Sequence, residues 1–159
     1  MLSEDILKKI RKKYEKINDI YSKSLEVTLK IFSLLKQDDL KSASMLVEER
    51  DSLLLATQNL FDETGDLLNQ LFKQEGIAEG GLGCLKSVYA QNVGEINSIK
   101  ESIKNFITQI KETDTKINEI LNQNAKEIKN KISNLKVTKE IEKKYNANKN
   151  YQTNFKLLV

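Results

Sequence analysis

Two lines of apolar residues, each with a period of seven, constrain this chain more than any other feature. Leu46, Leu53, Leu60 and Leu67 form one line, and Val47, Leu54, Phe61 and Leu68 form the other, one residue later. On a helix the two lines merge into one broad apolar stripe. A two-stranded zipper needs a single seam, whereas a stripe this wide can meet two neighbouring helices. The pattern predicts a helix over residues 40–74, about 50 Å long, as the central member of three.

The flanking segments have the same period. Ile6, Ile10, Tyr14, Ile17, Tyr21, Leu25, Thr28, Phe32 and Leu35 follow at steps of three and four, which predicts a first helix over 4–36. Ser3 is the expected N-cap, with Glu4 and Asp5 favourable in the first turn. Asp38 and Asp39 end this helix and cap the next, and so short a connection makes the two antiparallel. Gly65 interrupts the second helix at a cost of about 1 kcal/mol against Ala. The glycine-rich stretch 76–83 reads as a loop between helices. No strand precedes it and no GK[ST] ending closes it, so it lacks the features of a phosphate-binding loop.

From Leu85 the helical period resumes through Tyr89, Val93, Ile96, Ile99, Ile103, Phe106, Ile110, Ile117, Leu121, Ile128, Ile132 and Leu135. This predicts a third helix over 84–136, about 80 Å long. Thr113, Asp114 and Asn124 put polar groups on its stripe, and 113–115 is the place where it would break. Thr138 is placed to cap a short fourth helix over 139–145, and 146–159 reads as a mobile tail. The expected fold is all-α: an elongated antiparallel three-helix bundle or coiled coil, with a long third helix and a short C-terminal fourth. Residues 1–145 would form the domain.

Composition narrows the chemistry. The 159 residues include no His, Pro or Trp and one cysteine, Cys84. Without imidazole there is no Ser-His-Asp or Cys-His arrangement, no His metal ligand and no carboxylate–histidine di-iron site. The reading is therefore not an enzyme. Cys84 is expected as a small buried residue near a helix start. A lone thiol with no disulfide partner, and no long apolar run at residues 1–9, suit a cytoplasmic protein without membrane insertion. The 26 Lys and Arg against 23 Asp and Glu give a net charge of only +3, and the signs alternate along the chain. Arg11 and Arg50 are the only arginines, so nucleic-acid binding has little to recommend it. The cluster Glu48, Glu49, Arg50 and Asp51 reads as a solvated face, with Arg50 at the stripe's edge bonded to a nearby carboxylate.

Length yields the main functional expectation. A third helix antiparallel to the second exhausts its neighbours at about residues 117–120. Beyond that point Leu121, Ile128, Ile132 and Leu135 still form an apolar face. Exposing it costs about 1.5 kcal/mol or more per large side chain. The face is covered by the fourth helix folding back, by a partner protein, or by another copy of the chain.

The run Leu46-Val47-Glu48-Glu49-Arg50-Asp51-Ser52-Leu53-Leu54, early in the second helix after a short acidic turn, resembles a stretch of the flagellar type III export chaperones of the FlgN/FliT type. Asp114 and Asn118, followed by Ile120-Leu121, Ile128, Ile132 and Leu135, are also similar. So is the lysine-rich 136–144 stretch leading into Tyr145-Asn146-Ala147-Asn148. The resemblance implies a small cytoplasmic chaperone with no cofactor that guards a hook–filament junction protein, or next the filament cap. Such a chaperone brings its client to the export ATPase and export gate. It implies client contacts at Leu121, Ile128, Ile132 and Leu135, with Ile141 on a regulating fourth helix and Tyr145 docking to the gate. The chain's length favours the FlgN branch, whereas the glycine-rich loop and the tail residues Tyr151, Phe155, Leu157 and Leu158 depart from the family. The competing reading is a structural coiled-coil protein or surface antigen domain that self-associates as a homodimer.

Overall fold

The computed structural model describes residues 1–128, and in them the chain is all-α. Helix α1 spans Ser3–Lys36, α2 Leu40–Glu75 and α3 Ala90–Ile128. Two 3-10 turns, Gly81–Cys84 and Ser87–Tyr89, lie between α2 and α3. The predicted fourth helix over 139–145 and the tail over 146–159 fall outside the described residues.

Each helix end has a physical cause. Asp39 caps α2 as expected, its carboxylate accepting from the Ser42 N–H at 3.1 Å. Gly76 ends α2 in the left-handed region (φ 68°), and the Ile77 N–H reaches back to the Phe72 carbonyl at 2.8 Å. Ser3 is not the cap predicted for α1. It lies inside the helix and turns its hydroxyl to the Glu75 carboxylate, tying the start of α1 to the end of α2. The third α-helix begins at Ala90 instead of residue 84. Leu85 and Lys86 are extended, with ψ of 152° and 149°, and this breaks the run into separate turns. The expected weak point at 113–115 does not break α3. Thr113 and Thr115 donate to the carbonyls of Gln109 and Lys111, four residues back, so their hydroxyls are satisfied within the helix.

The buried positions of all three helices follow alternating steps of four and three. On α1 the series is Ser3, Leu7, Ile10, Tyr14, Ile17, Tyr21, Ser24, Thr28, Ile31 and Leu35, with Ile6 and Val27 buried beside it. On α2 they are Ala43, Val47, Arg50, Leu54, Thr57, Phe61, Thr64 and, after half-buried Leu68, Leu71. On α3 the same spacing gives Ile96, Ile103, Ile107, Ile110, Asp114, Ile117 and Leu121, with half-buried Lys100 in phase. This is the seam pattern of a coiled coil.

The centre of the bundle is α1, not α2. Both other helices lie against α1, while α2 and α3 approach each other far less. Ion pairs bracket α1 on its two sides: Lys13 with Glu63 of α2, and Arg11 with Glu95 of α3. The leucine line of α2, Leu46, Leu53, Leu60 and Leu67, is half-buried and packs beside the core without forming it. The opposite flank of the α2 seam carries Ser44, Asp51, Gln58 and Gly65. A flank so polar and small offers α3 little apolar surface, so α3 settles on α1 instead.

The core is divided. A larger cluster runs from Ile6 to Tyr21 on α1 with Leu54, Phe61 and Leu71 of α2 and Ile96 to Ile110 of α3, and Leu82 closes its end. A smaller one joins Val27, Ile31 and Leu35 to Ala43, Val47, Ile117 and Leu121. The first holds fourteen buried side chains and the second seven, so most of the hydrophobic stabilisation lies at the end near the α2–α3 loop.

Candidate functional site

Between the two clusters lies a buried polar layer contributed by all three helices. Arg50 of α2 is 0% exposed. Its Nη1 donates to Asp114 Oδ1 of α3 at 2.7 Å and to Thr28 Oγ1 of α1 at 3.1 Å. The Thr28 hydroxyl in turn donates to the Ser24 carbonyl at 2.7 Å. The layer thus links the three helices at one level through a charge-assisted pair shielded from water. Arg50 has the expected bond to a carboxylate, but it is buried on the seam and not at the edge of a solvated face. Glu48 and Glu49 of the same cluster are exposed, but Arg50 falls on the seam three residues after Val47 and points inward.

The layer also marks the register of the bundle. With Thr28, Arg50 and Asp114 level, one heptad of helix brings Leu35, Ala43 and Leu121 level, and these three share the smaller cluster. Leu121 is therefore fully buried at the end of the bundle, beside the α1–α2 turn. The expected exhaustion of the neighbours at residues 117–120 comes too early, because Ile117 and Leu121 still have α1 and α2 beside them. From Leu121, α3 continues seven residues to Ile128, about 10 Å further, while α1 has ended at Lys36 and α2 begins at Leu40. Ile128 lies on the α3 backbone beyond the turn. Ile132, Leu135, Ile141 and Tyr145 lie outside the described residues. Of the residues expected to bind a client, only Leu121 is placed with its side chain, and it is a core residue in this arrangement.

The remaining polar features are surface ones. A groove between α1 and α2 is lined by Lys9, Lys12, Lys13 and Lys16 opposite Glu63 and Asp66. A hydrogen bond from Lys13, then its charge, holds the Glu63 carboxyl below its ordinary range. Hydrogen bonds from Arg11 and Gln91 do the same for Glu95. Burial pushes the Tyr14 phenol up to about 12 and shifts Lys100 downward. Cys84 is exposed, not buried as expected, because the 3-10 turn carrying it lies on the surface. Among the described residues no group of three or more His, Cys, Asp and Glu side chains could hold a metal ion. No described helix is long and apolar enough to cross a membrane.

Sequence reasoning passed over the Thr28–Arg50–Asp114 layer, although a signal for it was present. Asp114 interrupts one apolar stripe, and Arg50 interrupts the step-of-four-and-three pattern on another. Opposite charges at seam positions of two helices are the signature of a buried pair. Ile107 was also passed over in favour of its neighbour Phe106, which is only half-buried. No family model, no curated protein and no solved structure matches this chain.

Proposed function

We propose that this chain is a cytoplasmic export chaperone of the flagellar type III kind, which holds the C-terminal part of a hook–filament junction protein before secretion. The observation that carries the reading is the run of α3 past the α1–α2 turn. Seven residues of helix continue past the level where α1 ends and α2 begins, and the sequence keeps apolar residues at Ile128, Ile132 and Leu135. A helix in this situation suits a client whose own amphipathic helix lays its apolar face against it. The run from Leu46 to Leu54 supports the same reading through its resemblance to the FlgN/FliT stretch.

In this proposal Ile128, Ile132 and Leu135 form the client face, and a fourth helix over 139–145 covers it until displaced, with Ile141 as its apolar contact. Tyr145 then meets the export gate. Leu121 anchors the base of the extension from inside the bundle. No cofactor takes part, since the work is shielding and delivery.

The test is complex formation with C-terminal segments of flagellar junction and cap proteins, followed by light scattering. A one-to-one complex supports the proposal. No binding to any such segment, together with a stable dimer of the chain alone, favours the self-associating coiled coil instead.

A further inference from the structure

Most of the seam of α3 says little about register. Ile96, Ile103, Ile110 and Ile117 repeat one residue every seven positions. Sliding α3 by a heptad against α1 and α2 places isoleucine where isoleucine was. The matching line of α2, Val47, Leu54 and Phe61, is apolar throughout and accepts either placement. The stretch between α2 and α3, which holds four of the chain's six glycines, has the length to follow such a slide. The exposed pair Arg11–Glu95 resists it little, because water and salt screen it.

The polar layer tells the registers apart most sharply, since half-buried Lys100 can keep its ammonium at the surface in either placement. One heptad either way brings Ile107 or Leu121 to the level of Arg50 and carries Asp114 away from it, to the level of Leu35 and Ala43 in one direction and of Tyr21 and Thr57 in the other. Both charges would then be buried without each other, which is strongly unfavourable. A single polar seam position fixes register in coiled coils by the same physics.

We propose that the Thr28–Arg50–Asp114 layer is the register lock of the bundle, selecting one among heptad-related placements of α3 and so setting how far α3 projects past the α1–α2 turn. A one-heptad slide would lengthen or shorten the projection by about 10 Å, roughly the whole described extension. The inference rests on the packing and not on the chaperone reading.

Disulfide trapping in a Cys84→Ser background tests it. Heptad translation of the Arg11–Glu95 contact brings Asn18 opposite Ser102. Cysteines at Asn18 and Ser102 therefore report the observed register, and cysteines at Asn18 and Gln109 report a one-heptad slide. With the layer intact, only the first pair forms a disulfide. In the charge-free variant Thr28→Val/Arg50→Leu/Asp114→Leu, both pairs form at comparable yield while helicity by circular dichroism is kept. The reversed pair Arg50→Asp/Asp114→Arg restores trapping of the first pair alone. Trapping of only Asn18–Ser102 in the charge-free chain, loss of its helicity, or a mixed register in the reversed pair would overturn the proposal.

Discussion

Arg50 and Asp114, sixty-four residues apart in sequence, meet at 2.7 Å with side chains 0% and 5% exposed. The pair predicts an asymmetry between single and double substitution. Arg50→Met leaves a buried carboxylate without its counter-charge and should cost about 3–5 kcal/mol. Arg50→Met/Asp114→Leu removes both charges and should be neutral or stabilising by about 1–4 kcal/mol. Urea denaturation midpoints measure the difference. Equal losses in the single and double variants would contradict it.

Leu121 and Ile128 should respond differently, although both stand in the apolar series read from the sequence. Leu121→Ala opens a cavity in the smaller cluster and should destabilise the fold by about 2–5 kcal/mol. Ile128→Asp/Ile132→Asp should leave the melting temperature of the bundle almost unchanged and abolish client binding. Thermal melts beside a binding isotherm separate the two effects. Full client affinity in the Ile128/Ile132 variant would place the client elsewhere.

Gly65 inside α2 and Gly76 at its C-cap should behave in opposite ways. Gly65 lies within α2, and a β-carbon there would meet nothing within 4 Å. Gly65→Ala should stabilise by up to about 1 kcal/mol through helix propensity. Gly76 holds the left-handed C-cap at φ 68°, so Gly76→Ala should destabilise by about 1 kcal/mol despite the open space around it.

Acid stability should depend on two surface carboxylates. Glu63 is held below its ordinary value of 4.5 by a hydrogen bond from Lys13 and then by its charge. Glu95 is held below the same value by hydrogen bonds from Arg11 and Gln91, with the Arg11 charge adding to them. A carboxylate whose folded pKa is depressed stabilises the fold above its unfolded value. That contribution is lost as pH falls from about 4.5 through the folded value. Melting temperatures measured from pH 6 to pH 3 should fall below pH 4.5, and less steeply in Glu63→Gln/Glu95→Gln.

At the alkaline end Tyr14 should control the slope. Burial raises its phenol from 10.0 to about 12, so between those values the unfolded chain has lost a proton that the folded chain keeps. Stability therefore holds up to pH 10 and declines from 10 to 12. Tyr14→Phe should flatten that decline. An ultraviolet titration should show one fewer late-ionising tyrosine in the variant.

Periodicity made the helices legible, because a step of three and four follows directly from helical geometry. It located the α1–α2 turn and the Asp39 cap, but it marked 113–115 as a break because it takes no account of the bonds Thr113 and Thr115 make within the helix. It did not rank the helices. Leu46, Leu53, Leu60 and Leu67 suggested that α2 was central, yet side-chain hydrophobicity alone does not distinguish a seam from its flank. Thr57, Thr64 and Arg50 occupy the true seam: the two threonines turn their hydroxyls to carbonyls of their own helix, and Arg50 depends on Thr28 and Asp114 of the other two. The site was less legible for the same reason. A length estimate finds the end of a bundle only to within a turn, and Leu121 lies within that turn.

The central position of α1 has a consequence for how the chain acquires its shape. A chain made from its N-terminus releases α1 and α2 first, joined by a turn so short that bringing them together costs little loop entropy. That hairpin already buries one side of α1. Its other side waits for α3, whose contact with Arg11 comes from a residue eighty-four positions later. Assembly is thus ordered by synthesis, with a fast local hairpin and a slower docking step. Asp114 must find Arg50 in that last step, so the interval before docking is when a wrong placement of α3 would be made or rejected.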